Sequence, residues 1–367
     1  MKTLIILTGG LKNDGISLGN ISYFESMERN NIDIDFLAIN EVDEKIISKL
    51  KAIDCKIVSV KNRNKNPIKY LISLKKLIEK NKYNIVHAHG SSSLMVLEMY
   101  AAKLAGVPVR IAHSRNTTCN YRKIDKFLRP LFYKVTTDFF ACGEEAGKWL
   151  FENNEFSVIP NGKNLEHFKF NVEKRSEIRK KYKLDNKFVL CHIGSFNKQK
   201  NHEFLINIFY EFKKLNPNSC LILVGDGNLR EKIESQIKKL GLTNDVIITG
   251  IINNANEILQ AVDYMVLPSL FEGLPNVIIE AQISGVQCII SDTITNECKI
   301  TDLVQFESLE SDSKIWAEKI LNTKLIDRDM YKKEIIKQVR DSGYDIIEDA
   351  KMLKKLYFNL YSQNNSK

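Results

Sequence analysis

Long apolar runs, paired cysteines and low-complexity segments are all missing from this 367-residue sequence. No stretch approaches the roughly 20 consecutive apolar residues that a membrane-spanning helix needs. The apolar run at residues 4–7 ends just before Gly9 and Gly10. It is shorter than the core of a signal peptide, which takes about seven apolar residues or more. We therefore expect a folded protein that stays in the cytoplasm.

The cysteines are scattered and form no Cys-x-x-Cys pair, so the usual zinc and redox motifs are excluded. We interpret them as small apolar residues buried in a protein of a reducing compartment. The seven are Cys55, Cys119, Cys142, Cys191, Cys220, Cys288 and Cys298.

Positive charge is in excess, and most of the excess lies in the first half of the chain. The formal net charge is +9, and residues 1–165 contain 25 Lys and Arg against 17 Asp and Glu. Such a field could attract anionic lipid or a phosphate-bearing substrate, or it could be a solvated surface without a partner. Nucleic acid is not an expected partner, because no nucleic-acid-binding motif accompanies the charge.

Short apolar runs alternate with stretches of helical spacing along the whole chain, which is typical of parallel sheets covered by helices on both faces. The expected strands of the first half are 4–7, 34–39, 57–60, 85–88, 109–112 and 139–141, with helices at 19–31, 42–52, 68–79, 94–104 and 126–134. The second half has strands at 188–193, 220–224, 246–249, 264–267 and 287–290, with helices at 203–215, 230–240, 277–284 and 314–321.

This alternation predicts two doubly wound, Rossmann-like α/β domains, residues 1–162 and 163–343, separated by the turn formers at 160–162. We expect them to face each other across a cleft, because such sheets bind ligands beyond the carboxyl ends of their strands. A last helix, 344–367, would cross back to the first domain.

Gly10 and Gly15 follow the first expected strand, where backbone N–H groups can approach a phosphate. The spacing gives no G-x-G-x-x-G. Ile16 and Ser17 stand where a P-loop needs Lys followed by Ser or Thr. A nicotinamide site and a Walker nucleoside triphosphatase both lose support, and a plain turn is the alternative to a phosphate-binding loop.

Three histidines, His87, His89 and His113, lie at or just after the ends of expected strands, where ligands reach such sheets. No carboxylate or cysteine accompanies them at the spacing of a metal site, so we assign no metal. We expect His113, with His89 as a second candidate, to hydrogen-bond a ligand; structural histidines are the alternative. Asp33 and Asp35 resemble a metal-binding Asp-x-Asp pair but alternate with apolar residues, which indicates the outward face of a strand.

Lys200 stands at the expected start of a helix, in the segment 194–202 that follows the first strand of the second domain. A cation is unfavourable at that end of the helix dipole unless an anion such as a diphosphate neutralises it. A solvated lysine is the alternative.

Residues 271–281 are the most informative segment. Pro275 favours the first helical turn, so Glu272 falls in the loop before a helix and Glu280 in its second turn. Ionised carboxylates are strong acceptors for the hydroxyls of a sugar or a ribose, whereas a surface Glu and a capping Glu are the alternative. Three neighbours could approach a ligand through the backbone: Gly273, Asn276 and Val277.

The run Glu272-Gly-Leu-Pro-Asn-Val-Ile-Ile-Glu280 resembles the Glu-x7-Glu motif of glycosyltransferase family 4, retaining enzymes with the GT-B fold. Segments 111–115, 140–145, 158–162 and 223–227 resemble that family in the same order, over nearly the whole chain. The resemblance implies transfer of a sugar from a nucleoside diphosphate sugar, UDP-linked by default, to an acceptor hydroxyl. Retained configuration and no metal or other cofactor are implied as well. Family members with similar segments build capsules or exopolysaccharides.

The resemblance also implies roles. Glu272 would bind hydroxyls of the donor sugar, Glu280 the ribose and Lys200 the diphosphate, and His113 would lie near the transferred sugar. Backbone groups of the loops would hold the nucleotide sugar, at Gly10, Gly15, Gly194, Gly273, Leu274, Asn276 and Val277. The family usually has Arg directly after the glycine that corresponds to Gly194. This chain has Ser195, so one of two expected cationic contacts with the diphosphate is missing.

Residues 122–134 interleave basic and apolar side chains. On a helix they could dock on the anionic headgroups of a membrane that carries a lipid-linked glycan acceptor, or they could form an ordinary amphipathic helix packed on its own sheet. Two rival functions stay open: a sugar-nucleotide 2-epimerase, which has no acceptor, and a non-catalytic sugar-nucleotide-binding subunit, to which Ser195 gives weight. The sequence leaves the oligomeric state open.

Overall fold

The computed structural model describes residues 1–12, 15–252 and 254–365. The chain forms two compact units, one of Met1–Lys163 with Gly343–Lys367 and one of Asn164–Ser342. No helix in the described part of the chain is both long and apolar enough to cross a membrane.

The first unit contains a seven-stranded parallel sheet in the order β3-β2-β1-β4-β5-β6-β7. Its strands are β1 (Lys2–Leu7), β2 (Asp33–Ala38), β3 (Lys56–Ser59), β4 (Ile85–Gly90), β5 (Val109–Ser114), β6 (Asp138–Ala141) and β7 (Ser157–Val158). Its helices are α1 (Gly15–Ser26), α2 (Glu44–Ala52), α3 (Pro67–Asn81), α4 (Val96–Leu104), α5 (Arg122–Val135), α6 (Glu144–Phe151) and, from the C-terminal segment, α15 (Ile346–Asn365). A 3₁₀ turn at Ser93–Met95 precedes α4.

The second unit contains a six-stranded parallel sheet in the order β10-β9-β8-β11-β12-β13, the 3-2-1-4-5-6 order of a Rossmann fold. Its strands are β8 (Phe188–Ile193), β9 (Ser219–Val224), β10 (Val246–Gly250), β11 (Tyr264–Leu267), β12 (Gln287–Ser291) and β13 (Val304–Glu307). Its helices are α7 (Leu165–Phe168), α8 (Val172–Lys181), α9 (His202–Leu215), α10 (Arg230–Lys239), α11 (Ala255–Ala261), α12 (Asn276–Ile283), α13 (Ser313–Asn322) and α14 (Arg328–Asp341), with a 3₁₀ turn at Asn296–Cys298.

Both sheets are covered on both faces, which confirms the predicted fold class. β9 is buried at every position, as expected for a central strand of a parallel sheet. α9 buries one apolar stripe on the second sheet, including Leu205, Phe209 and Phe212. The cysteines are all free, and only Cys119 is not buried.

Two expectations about local structure are wrong, and one helix, α8, was not predicted. The first helix begins at Gly15 and ends at Ser26, four to five residues earlier than predicted, because glycines in its first turns had been taken for a loop. Asp35 does not face solvent: it is buried, and its Oδ2 accepts a hydrogen bond of 2.6 Å from the hydroxyl of Tyr83. α8 was not expected at all, because it buries only Ile178 and shows no apolar stripe.

Candidate functional site

In the second unit, two of the predicted site residues form an ion pair. Lys200 Nζ lies 2.7 Å from Glu272 Oε1, and the side chains are only 15% and 9% exposed. Gln199 holds the same carboxylate from the other side, with its Nε2 3.1 Å from Glu272 Oε2. The carboxylate is therefore fixed by one cation and one amide in a largely desolvated position.

Strand order explains this pairing. β8 is the direct neighbour of both β9 and β11, so the loops that follow these three strands meet at the carboxyl edge of the sheet. The Leu270 N–H donates to the Gln199 carbonyl at 2.8 Å. A Cβ on Gly194 would lie 3.0 Å from Lys200 Cε, and a Cβ on Gly225, at a φ of +136°, would collide with the Gly194 carbonyl. Close backbone packing thus positions Lys200 over Gly194.

The expectation that Lys200 opens a helix is wrong. α9 begins at His202, after Asn201 in a left-handed conformation (φ 54°). The Lys200 N–H instead donates to Asn197 Oδ1 at 3.1 Å, within the preceding turn. In the structure Glu272, rather than an anion at a helix end, is the partner of Lys200.

The two predicted carboxylates occupy different elements. Glu272 lies in the loop after β11, and Glu280 lies half-buried in the second turn of α12, which begins just after Pro275. The N–H groups of Asn276 and Val277 open this helix, where backbone donors lack partners within the helix and the dipole is positive. Asn276 Oδ1 is buried and has no hydrogen-bond partner among the described residues. Gly273 and Leu274 form the half-buried turn between Glu272 and the helix.

In the first unit, Gly10, His89 and His113 come together at the carboxyl edge of the sheet. His89 and His113 are register partners in β4 and β5, with ring centroids 4.8 Å apart. Gly10 (φ +87°) follows β1, whose Leu7 pairs with His89. Gly15 is the first residue of α1, and residues 13 and 14 of the predicted phosphate loop lie outside the described residues.

The histidine rings are buried and neutral. Burial, and then the charge of Arg115 and the neighbouring rings, holds the pKa of His87, His89 and His113 well below the usual range. Nε2 of His89 and Nε2 of His113 are buried without a hydrogen-bond partner among the described residues. Buried polar atoms are rarely left unpaired, so these two nitrogens indicate a ligand-binding position.

Arg115 places a positive charge beside the histidines. Its guanidinium donates to His89 Nδ1 from Nε (3.1 Å) and Nη2 (2.8 Å), and to Asn161 Oδ1 at 2.8 Å and Asn20 Oδ1 at 3.3 Å. None of the carboxylates in the described ranges forms an ion pair with it. A half-buried guanidinium without a counter-ion among the described residues favours an anionic or oxygen-rich ligand.

Three histidines close together raise the question of a metal. Their ligand atoms lie within 4.8 Å of one another. The His87 and His89 rings, however, are stacked, with an interplanar angle of 28° and centroids 4.1 Å apart, and His87 Nε2 and His113 Nδ1 already contact each other at 3.1 Å. Imidazole lone pairs lie in the ring plane, so the stacked rings of His87 and His89 cannot direct them at one ion, and the Arg115 cation occupies Nδ1 of His89. The cluster suits hydrogen bonding better than metal binding.

Three residues of these sites were not predicted. Gln199 and Arg115 stand next to predicted residues in the sequence and share the same strand ends, so their position carried a usable signal. Tyr357 Oη lies 2.6 Å from His87 Nδ1. Its sequence position marks it only as one of the apolar residues of the last helix, and no local pattern connects it with β4.

Comparisons with known proteins agree with this architecture. The family described as "Glycosyl transferases group 1" matches residues 174–324, and "Glycosyl transferase 4-like" matches residues 18–132. The chain is 31% identical over 376 residues to EpsF of Bacillus subtilis (strain 168), a glycosyltransferase by its provisional name. The match covers 97% of this chain and 96% of EpsF. It is 31% identical over 317 residues to the Escherichia coli UDP-Gal:alpha-D-GlcNAc-diphosphoundecaprenol alpha-1,3-galactosyltransferase, covering 80% of each.

Among solved structures, Anabaena Alr3699/HepE in complex with UDP and glucose has a TM-score of 0.79 at 17% identity, covering 97% of this chain and 99% of that one. At this identity the likeness shows the fold alone. The sequence relatives and the two family matches carry the assignment further: the chain belongs to the family 4-type glycosyltransferases of the GT-B fold.

Proposed function

We propose that this glycosyltransferase moves a sugar from a UDP-linked donor to a hydroxyl of a lipid-linked glycan, with retained configuration, in capsule or exopolysaccharide synthesis. The observation that carries the proposal is the Lys200–Glu272 pair at the carboxyl edge of the second sheet. A nucleotide sugar offers a match to both charges, since its diphosphate is anionic and its sugar hydroxyls donate to carboxylates. The names of the galactosyltransferase relative and of the HepE complex support UDP as the nucleotide, and the former supports a diphosphoundecaprenol-linked acceptor.

The reaction breaks the bond between the anomeric carbon and the diphosphate and forms a bond to the acceptor oxygen on the same face. The acceptor proton passes to the leaving phosphate oxygen. Lys200 and the N–H groups of Asn276 and Val277 would stabilise the negative charge that develops on the leaving group, so the step needs no metal. Glu272 would hold the sugar, Glu280 the ribose.

In the first unit, His113 and His89 would supply hydrogen bonds to the sugar or the acceptor through their unpartnered Nε2 atoms. Ser195 removes one expected cation, which leaves Lys200 as the main charge on the diphosphate. We therefore expect the diphosphate contact to depend strongly on this single side chain.

A thermal-shift screen over nucleoside diphosphate sugars would identify the donor, and proton NMR of the product would give its anomeric configuration. Nucleotide release that requires an acceptor would support transfer. Release without an acceptor would support a 2-epimerase, and donor binding with no turnover would support a binding subunit. An inverted product would refute retention.

Membrane contact through α5 belongs to the same proposal, at the inner face of the cell membrane. Phe127 is 82% exposed, Ile124 51% and Leu131 44%. Lys123 and Lys126 lie among them, exposed and without an ion pair to any residue that the structure describes. An apolar stripe flanked by free lysines matches an anionic lipid surface, on which each Lys contributes about 1 kcal/mol.

Flotation with phosphatidylglycerol-containing vesicles tests this contact. Phe127→Ser is expected to lower the bound fraction about tenfold, because it removes an apolar side chain from the lipid. Met330→Ser, at a residue 71% exposed in the second unit, is the matched control and should not change binding. Equal binding to neutral vesicles would contradict the electrostatic part.

A further inference from the structure

A chain of three hydrogen-bonded side chains runs from the C-terminal helix to His113. Tyr357 Oη on α15 lies 2.6 Å from His87 Nδ1, and His87 Nε2 lies 3.1 Å from His113 Nδ1. All three side chains are essentially inaccessible to solvent, at 0%, 1% and 1% exposure. The chain is therefore shielded from bulk solvent.

Each of the three side chains carries one exchangeable proton, on a ring nitrogen of each histidine and on the hydroxyl of Tyr357. Burial lowers the pKa of both histidines far below neutrality and raises the pKa of the Tyr357 phenol, which keeps its proton. A neutral imidazole has one N–H and one bare nitrogen, and the tautomer follows from the partner of each nitrogen. Only two proton arrangements are then consistent with both hydrogen bonds of the chain.

In the first arrangement, the Tyr357 hydroxyl donates to His87 Nδ1, the His87 Nε2–H donates to His113 Nδ1, and His113 is left with a proton on Nε2. The second arrangement reverses both bonds and leaves Nε2 of His113 bare. It also requires another acceptor for the phenol proton, and no other partner of Tyr357 Oη exists among the described residues. The second arrangement therefore leaves two buried groups unpaired, the phenol O–H and the bare Nε2 of His113, whereas the first leaves only the Nε2–H of His113. One additional unpaired buried group is unfavourable enough to favour the first arrangement by about fivefold or more.

His89 reaches the same tautomer by a different route. Its Nδ1 receives two hydrogen bonds from Arg115, whose guanidinium has donors only, so this nitrogen is bare and the proton lies on Nε2. His89 and His113 then present two N–H donors side by side at the carboxyl edge of the first sheet, both without a protein acceptor in the described ranges.

We infer that Tyr357 is a positioning residue that holds His113, through His87, in the tautomer with a proton on Nε2, so that His113 donates a hydrogen bond to an oxygen of the bound sugar. This inference rests on the proposed function for the contact with the sugar. The tautomer itself is a property of the ligand-free protein.

Nitrogen-15 NMR of the histidine rings in the full, ligand-free chain tests the tautomer directly, because protonated and bare ring nitrogens have widely separated shifts. Signals are assigned by single histidine substitutions. We expect all three rings to be protonated at Nε2. In Tyr357→Phe, His87 and His113 should become mixtures of both tautomers, while His89, held by Arg115, should stay unchanged.

Tyr361→Phe is the matched control. It lies one turn along the same helix and removes a hydroxyl that accepts from Asn84 Nδ2 at 3.0 Å, away from the histidines. It should leave all three tautomers unchanged, and the unchanged His89 signal in Tyr357→Phe would show that the local fold is intact. A bare Nε2 on His113 in the wild type, or an unchanged His113 in Tyr357→Phe, would overturn the inference.

Turnover then tests the positioning role. Tyr357→Phe should lower kcat about five- to tenfold with little change in donor KM, and Tyr361→Phe should not. Because the effect passes through His87, Tyr357→Phe should add nothing in a His87→Phe background. Multiplicative losses would overturn the route through His87. A wild-type protein that transfers no sugar would refute the proposed function instead, and would leave the NMR result to decide the tautomer.

Discussion

Lys200→Met removes the cation from the buried pair with Glu272 and leaves the carboxylate with the amide of Gln199, at 3.1 Å, as its remaining side-chain donor in the described structure. Exposed pairs contribute about 0–1 kcal/mol, whereas breaking a fully buried pair costs about 3–5 kcal/mol. With exposures of 15% and 9%, this pair lies nearer the buried limit. We expect a loss of about 2–3 kcal/mol in the free energy of unfolding.

The double variant Lys200→Met/Glu272→Gln should recover most of that stability, because it removes the unpaired buried charge as well. For a domain of this size, 1 kcal/mol corresponds to about 2–4 °C in Tm. The single variant should therefore melt about 4–12 °C lower, and the double variant close to the wild type. Lys198→Met, an exposed lysine of the same loop, is the control and should shift Tm by no more than about 2 °C.

Activity should not follow stability. Both variants that lack Lys200 should lose about 10²–10³-fold in kcat, because neither can neutralise the leaving diphosphate. Calorimetry or a dye-based melt gives Tm, and nucleotide release gives kcat. An unchanged Tm in Lys200→Met, or a double variant no more stable than the single one, would refute the buried-pair reasoning. Recovery of activity in the double variant would refute the role of Lys200.

Four further outcomes are expected. Glu280→Ala should cost far less turnover than Glu272→Ala, measured as kcat with saturating donor. Glu272→Gln should bind UDP more tightly than the wild type in calorimetry, although it turns over more slowly. Gly225→Ala should destabilise the protein by about 3 kcal/mol or more in urea unfolding, whereas Gly241→Ala, with φ +72° and open space, should cost about 1 kcal/mol. Burial raises the pKa of Asp349 from 3.8 to about 7, so the stability contributed by its protonated form is present below about pH 4 and is lost as the pH rises through 7. Asp349→Asn should flatten Tm between pH 4 and 8.

Strand positions could be predicted because buried parallel strands are apolar on both faces, as in β8 and β9. α8 could not, because polar side chains on nearly every face erase the helical signal, and its arginines donate instead to carbonyls at the C-terminal end of α11. The same limit applies to the site. Glu272 and Lys200 were each predicted from their own segment, but their pairing depends on β8 lying next to β11, which is a property of strand order.

The contact between Tyr357 and His87 could not be predicted from local sequence patterns. In the sequence it is one apolar position among several on a helix, about 270 residues from its partner in β4. Only the packing of α15 beside the first sheet turns its hydroxyl into a hydrogen-bond donor for His87. A residue that sets the proton position of another residue acts through close contact in three dimensions. The residue types and spacings of a sequence do not reveal such a contact.

The ion pair also constrains how a nucleotide sugar would be recognised. A diphosphate that binds Lys200 must compete with Glu272, since both anions pair with the same ammonium group. If the diphosphate wins, Glu272 loses its counter-charge in a position only 9% exposed, which is unfavourable unless another donor replaces it. Sugar hydroxyls are such donors. The nucleotide and the sugar would then stabilise each other's contacts, and UDP alone would leave the carboxylate unsatisfied. This is why removing the charge of Glu272 should favour UDP while it harms the reaction: the pair makes the intact donor, and not its leaving group, the preferred ligand.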